Sequence, residues 1–66
     1  MDRAKLKGKI AEKGFNLTTL AKAIGMPYTM LYHRVNDNDL LTIAETRKIC
    51  KVLELSNQEK IEIFLI

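Results

Sequence analysis

The chain has 66 residues and one cysteine, which leaves room for a single domain and excludes an intramolecular disulfide. Its hydrophobic content of 47% is that of a globular domain rather than of a disordered segment. One histidine and one cysteine are too few to ligate zinc, and no apolar run approaches the roughly 18 residues of a membrane span. The charged N-terminus lacks the apolar segment of a secretion signal, so we expect a cytoplasmic protein.

The basic charge is concentrated in the first half of the chain. The net charge is +3, but residues 1–36 contain seven basic and two acidic side chains, whereas residues 37–66 contain four basic and six acidic ones. A first half with a net +5 indicates a surface that meets an anion, most often nucleic acid. A solvated lysine-rich helix is the alternative interpretation.

Caps and helix breakers predict three helices in the first 36 residues. The first begins after Asp2, a good N-cap, and ends at Gly14. The second begins after Asn16 and ends at Gly25. The third follows the only proline, whose missing N–H is harmless in a first turn, and ends by Asn36. The expected core positions of these helices are Leu6, Ile10, Leu17, Leu20, Ala21, Ile24, Leu31 and Val35.

Two capping boxes predict two further helices after a polar loop at 37–39. Thr42 with Glu45 opens the fourth helix, and Ser56 with Glu59 opens the fifth. The expected apolar residues of this half are Leu40, Leu41, Ile43, Ile49, Cys50, Val52, Leu53, Ile61, Phe64 and Leu65. The sequence therefore predicts an all-α single domain over residues 1–66, a compact bundle of five short helices.

The segment 17–36 has the spacing of a helix-turn-helix. A small residue, Ala21, suits two helices that cross steeply, and Gly25 suits the sharp turn between them. Leu31, six residues further on, can anchor the second helix in the core. Any pair of antiparallel helices joined at a glycine is the alternative interpretation.

This segment and its flanks resemble the Cro and repressor-type helix-turn-helix family of phages and their bacterial relatives. Residues 14–25 match the family's glycine, capped helix, leucine-alanine pair and turn glycine. Residues 41–56 are similar to its capped fourth helix, and residues 62–65 resemble the end of small phage-encoded members. The resemblance implies a lambda-repressor-like fold and a transcription regulator, such as a repressor, that binds operator DNA as a dimer in the bacterial host cell. It implies no cofactor and no membrane partner.

Helical geometry suggests which residues of the third helix face DNA. On a wheel of about 100° per residue with Leu31 at zero, Val35 lies at about 40°, so the core side is near 20°. We expect the base-reading residues to be Tyr28, Thr29, Tyr32 and His33, which point away from the core or lie at the helix N-terminus. We expect the phosphate-contacting residues to be Thr18, Thr19, Arg34 and Asn36. The alternatives are packing roles for the two tyrosines and a plain surface role for His33.

Two departures from the family pattern bear on DNA binding. Leu17 stands where family members often have a polar residue that contacts phosphate. Asp37 and Asp39 occupy a loop in which the family often has an asparagine, a glycine and a basic residue, and acids there repel phosphate. A protein-interaction module, such as an antirepressor that keeps the fold but binds another regulator, is therefore the alternative function.

The C-terminal segment is more apolar than one small core requires. We expect its residues to form a contact with a second copy or with another regulator; they are Ile61, Ile63, Phe64, Leu65 and Ile66. The alternative is a tail that fills the core. The sequence contains no nucleophile–base pair, metal cluster or phosphate loop, so we expect no enzyme, and Cys50 is expected to be a small buried residue.

Overall fold

The computed structural model describes residues 1–38 and 41–64. The five helices are α1 (Arg3–Glu12), α2 (Leu17–Ile24), α3 (Tyr28–His33), α4 (Ile43–Val52) and α5 (Asn57–Phe64). No strand occurs within these two described ranges. The radius of gyration of 10.5 Å is that expected of a compact domain of this length, about 11 Å. The predicted all-α bundle of five helices is confirmed.

Side-chain caps begin the helices at the positions that the sequence predicts. The Asp2 carboxylate accepts a hydrogen bond from the third residue along, Lys5 N, at 3.0 Å. Thr42 Oγ1 accepts from Glu45 N at 3.1 Å, and Glu45 Oε1 accepts from Thr42 N at 2.9 Å. The same reciprocal pair forms at the start of α5 between residues 56 and 59. Each box satisfies backbone N–H groups that have no partner inside the helix.

The connection between α2 and α3 is a tight turn at a glycine. Gly25 has φ 70°, in the left-handed region that glycine adopts without steric cost, and it ends α2. Its N–H donates to Lys22 O, and Met26 N–H donates to Ala21 O at 2.9 Å, which closes the last turn. Pro27 then precedes α3 directly. The turn fixes where α3 emerges from the bundle.

The core is formed by one contiguous set of side chains from all five helices. The buried residues are Leu6, Ile10, Leu20, Ala21, Ile24, Leu31, Val35, Ile49, Cys50, Leu53, Leu55 and Ile63. Phe15, Leu17 and Leu41 pack at its edge and are partly buried. Helix α2 packs on both α3 and α4, and α1 packs on α5, where Asp2 N–H donates to Ile63 O at 2.7 Å.

Three predictions about apolar residues are wrong. Ile43, assigned to the core side of α4, is 74% exposed because it stands at the first position of the helix, beside the cap. Ile61, expected both on the core side of α5 and in a contact with a second copy or another regulator, is 50% exposed and so does not belong to the core. Ile63, expected in that contact, is 1% exposed and belongs to the core. Residues two apart on a helix differ by about 200° in direction, so only one of these two isoleucines can face the core.

The third helix ends differently from its prediction, which placed its end by Asn36. The α-helical hydrogen bonding stops at His33, and a wider π-helical turn, Arg34–Asn38, follows. Asp37 was predicted to begin a loop and instead belongs to this turn. Asn36 Nδ2 donates to Tyr32 O at 3.0 Å, a side-chain contact that competes with the backbone pattern of an α-helix.

Several expectations lie outside the described residues. They concern Asp39, Leu40, Leu65 and Ile66. Within the two described ranges, no helix is long and apolar enough to cross a lipid bilayer.

Candidate nucleic-acid interface

Helix α3 divides into a buried side and an outward side, as the helical wheel predicts. Leu31, together with Val35 of the following turn, is fully buried. Tyr28 and Tyr32 are 47% and 43% exposed. Thr29 and His33 are exposed as well, so the structure brings all four residues predicted to read bases to the surface of one short helix.

The aromatic rings of this surface form a row. The ring centroids of Tyr28 and Tyr32 are 6.1 Å apart with the planes tilted by 43°. The Tyr32 and His33 centroids are 5.7 Å apart, with one ring edge-on to the other at 87°. Both spacings are those of favourable aromatic pairs. The row presents apolar ring surface together with phenol and imidazole hydrogen-bonding groups. Met30 of the same helix is also 43% exposed and was not singled out from the sequence.

His33 is held by a carboxylate on the next turn. The Nδ1 atom of His33 lies 2.5 Å from Oδ2 of Asp37, and both side chains are about half exposed. These two residues are four apart in sequence, a spacing that places their side chains next to each other on one face of the helix. The guanidinium of Arg3, at the start of α1, donates to the carbonyl oxygen of Asp37 at 3.5 Å. Asp37, whose charge is expected from the sequence to repel phosphate, therefore contacts His33, which is predicted to read bases.

Two residues predicted to contact phosphate are engaged within the protein. The Arg34 guanidinium is 3.3 Å from Oε1 of Glu45, and both side chains are mostly buried. This ion pair joins the π-helical turn to α4. The Asn36 amide donates to the carbonyl oxygen of Tyr32, as described above. Each side chain has a structural role of its own at the end of the α3 surface.

The other two predicted phosphate contacts stand in the first turn of α2. Thr19 closes a capping box that was not predicted: its N–H donates to Asn16 Oδ1 at 2.8 Å, and its hydroxyl accepts from Asn16 N at 2.9 Å. Thr18 is exposed beside it. The N–H of Thr18, at the second position of the helix, has no acceptor in the preceding turn. Leu17, the residue that departs from the family pattern, is partly buried against the core.

A groove next to α3 adds a cation that the sequence did not single out. Its lining includes Lys7 and Ala11 of α1, Asn16 and Leu17 at the start of α2, and Tyr32 of α3. Lys7 is exposed, and it borders the same groove as the start of α2 and Tyr32 of the aromatic row. Only the folded arrangement of α1 against α2 and α3 selects Lys7 from the lysines of the first helix.

Lys9, two residues after Lys7 and therefore about 200° further round α1, serves a different surface. Its ammonium is 2.9 Å from Oε2 of Glu12 and 2.7 Å from Oε2 of Glu59. The hydrogen bonds with Glu59 and then with Glu12 raise the pKa of Lys9 above its ordinary value. Its charge is therefore compensated at the contact between α1 and α5.

The remaining reactive groups do not assemble around the α3 surface. Cys50 is buried in α4, and that burial raises the pKa of its thiol. Among the described residues, no three histidine, cysteine, aspartate or glutamate side chains come together as metal ligands. The polar groups near α3 are hydroxyl, imidazole, amide and ammonium groups, together with the carboxylate of Asp37 and the guanidinium of Arg3.

Comparison of the chain with protein-family models, curated proteins and solved structures finds no match. The functional argument therefore depends on the geometry of the site itself.

Proposed function

We propose that this protein is a sequence-specific DNA-binding regulator of transcription whose residues 17–36 act as a helix-turn-helix, with α3 reading the major groove. The observation that carries the proposal is the division of α3, which buries Leu31 and turns four polar or aromatic side chains outward. A single α-helix fits the major groove, and the residues near its N-terminal end reach the base edges in this docking mode.

The outward side chains of α3 have the chemistry that base reading requires. The methyl group of Thr29 matches a thymine methyl, and its hydroxyl can bond a base edge. His33 offers a ring nitrogen to a base: a protonated nitrogen can donate to guanine N7 or O6, and an unprotonated one can accept from the amino group of adenine or cytosine. The hydroxyl groups of Tyr28 and Tyr32 are suited to phosphate oxygens at either side.

Phosphate binding is assigned to groups that flank α3. Thr18 and Thr19 stand at the N-terminus of α2, where backbone N–H groups and the helix dipole favour an anion. Lys7 borders the groove between this helix start and Tyr32. Because Arg34 is paired with Glu45 and Lys9 with Glu59, we assign the positive field to Lys7 and its exposed neighbours on α1 rather than to these two cations.

The proposal includes a homodimer on a palindromic operator in the bacterial cytoplasm. A chain of this size reads few base pairs, and a two-fold pair of recognition helices doubles the site. Of the apolar C-terminal residues that are described, Ile61 is the exposed one, so we place the contact between copies around it. The surface of Ile61 is apolar, as the centre of such an interface requires.

Selection from random DNA duplexes tests this function. The purified chain is incubated with a duplex library at low salt, bound duplexes are separated by gel shift, and the enriched sequences are read. We expect a short palindrome to emerge, and a light-scattering mass of the complex then gives the number of chains bound. Failure to enrich any sequence at low salt would falsify DNA recognition by this chain.

A protein-interaction module, such as an antirepressor, is the second candidate function. The observations that favour it are the exposure of Met30 and of two tyrosines on α3 and the carboxylate of Asp37 on the turn that follows. Aromatic residues and methionine are enriched at protein interfaces, whereas an acid repels phosphate. A stable complex with another DNA-binding regulator, formed by a chain that has no DNA affinity of its own, decides for this candidate.

A further inference from the structure

We infer that Asp37 sets the base preference of His33, although Asp37 itself contacts no base; this inference rests on the proposed DNA-binding function. Its basis is the contact between His33 Nδ1 and Asp37 Oδ2 on the outward side of the helix. Asp37 is therefore a positioning residue. Its negative charge weakens the affinity for DNA, but its contact with His33 defines which imidazole nitrogen faces the base.

The chemistry of the contact fixes which imidazole nitrogen carries a proton. An ionised carboxylate can only accept a hydrogen bond, so the Nδ1 atom of His33 must be the donor. In the neutral ring, Nε2 is then an acceptor, and it is the ring nitrogen left to face a ligand. Without Asp37, the proton can occupy either nitrogen and the ring can present either pattern.

The orientation of the His33 ring is fixed as well as the position of its proton. The edge-on contact with Tyr32, at a centroid distance of 5.7 Å, also limits rotation of the His33 ring. The carbonyl of Asp37 receives a hydrogen bond from Arg3 of α1, which ties the π-helical turn to the bundle. Imidazole, phenol ring and carboxylate therefore form one preorganised group rather than three independently mobile side chains.

The charged groups around His33 come from three elements. Asp37 faces it from its own turn, the guanidinium of Arg3 approaches from α1, and Lys7 borders the groove that Tyr32 shares. The Arg34 guanidinium is directed to Glu45 of α4. The carboxylate of Asp37 is thus the group in direct contact with the ring.

A pair of substitutions separates positioning from simple charge repulsion. Asp37→Ala removes both the acceptor and the charge, whereas Asp37→Asn removes the charge and keeps an oxygen that can accept from Nδ1. We expect both variants to bind arbitrary duplex DNA more tightly than the parent chain, since each removes a negative charge. We expect Asp37→Ala alone to lose about tenfold in discrimination at the base pair read by His33, to the level of His33→Ala.

The measurement is the affinity of each folded variant for the selected palindrome and for duplexes changed at single base pairs, with the thermal transition recorded as a check on folding. Loss of preference at one base pair in Asp37→Ala and His33→Ala, with preference kept in Asp37→Asn, supports the inference. Unchanged preference in Asp37→Ala overturns it and leaves DNA recognition standing. If the parent chain selects no sequence, the proposed function and this inference fail together.

Discussion

The ammonium group of Lys9 on α1 and the carboxylate of Glu59 on α5 are 2.7 Å apart, and they join the first helix of the chain to the last. The same carboxylate accepts from Ser56 N through its other oxygen, so Glu59 caps α5 and pairs with α1 at once. Both side chains are mostly shielded from solvent, at 27% and 19% exposure.

This pair predicts a loss of stability in acid. The hydrogen bond with Lys9, followed by that from Ser56, lowers the pKa of Glu59 from its ordinary 4.5 to about 2. A lowered pKa in the folded state means that the contribution to stability is present above pH 4.5 and is lost as the pH falls towards 2. The thermal transition of the parent chain is therefore expected to fall over this range more steeply than that of Glu59→Gln, which keeps the capping oxygen but not the charge.

The matched control for that experiment is Glu12→Gln. Glu12 also contacts Lys9, at 2.9 Å, but it lies on the same helix and is 59% exposed. Exposed pairs within one helix contribute little. A Glu12→Gln variant that flattens the acid dependence as much as Glu59→Gln does would contradict the assignment to the α1–α5 pair.

Substitution by alanine is expected to have opposite effects on stability at Gly25 and at Gly8. An added Cβ meets no atom within 4 Å at either Gly8 or Gly25, so only the backbone distinguishes them. Gly25 has φ 70°, and Gly25→Ala is expected to lower the free energy of unfolding by about 1–2 kcal/mol. Gly8 lies inside α1, and Gly8→Ala is expected to raise it by about 0.5–1 kcal/mol. Urea denaturation measures both, and equal stability of the two variants would show that the turn between α2 and α3 does not depend on glycine.

The two isoleucines of α5 predict a contrast in stability. Ile63→Ala is expected to cost about 2–5 kcal/mol because it empties part of the core, whereas Ile61→Ala is expected to change stability by less than about 0.5 kcal/mol. Ile63→Val removes one methylene group only and provides a milder test, with an expected loss of about 0.5–1.5 kcal/mol. Sedimentation of Ile61→Ala then tests the proposed homodimer contact, which predicts a shift towards the monomer.

Base-reading and phosphate-contacting residues predict different responses to salt. Thr29→Ala is expected to reduce discrimination at one base pair by about 1–3 kcal/mol without changing the salt dependence. Lys7→Ala is expected to weaken binding to all sequences alike and to reduce the slope of log affinity against log salt by about 1. Lys51→Ala is the control, because Lys51 borders a groove with Cys50 and Lys60 rather than with α3. If Lys51→Ala reduced the slope of log affinity against log salt more than Lys7→Ala does, the result would argue against a phosphate contact at Lys7.

Much of the fold follows from local sequence patterns. The caps at Asp2, Thr42 and Ser56 and the breaker at Gly25 act through bonds between residues three or four apart, so the printed sequence is enough to locate them. The same holds for the division of α3, because the positions of Leu31 and Val35 fix its buried side. Local geometry thus predicts five helices and the four outward residues of α3.

The partners of the charged side chains depend on packing between distant segments. That Arg34 pairs with Glu45, and that Lys9 pairs with Glu59 rather than facing solvent, depends on how α4 and α5 lie against the rest of the bundle. No periodicity encodes such contacts, since they join residues that are far apart in the chain. The π-helical turn after His33 likewise departs from the regular helix that a wheel assumes.

The sequence by itself determined the helices, most of the core positions and the outward side of α3, because hydrogen bonds and apolar spacing along a helix are local. Only the tertiary structure decided which isoleucine of α5 is buried, which cations are compensated and which lysine borders the start of α2. It also showed that the helix widens into a π-helical turn after His33. These outcomes depend on the relative placement of whole helices and on a wider helical turn, and a one-dimensional pattern contains neither.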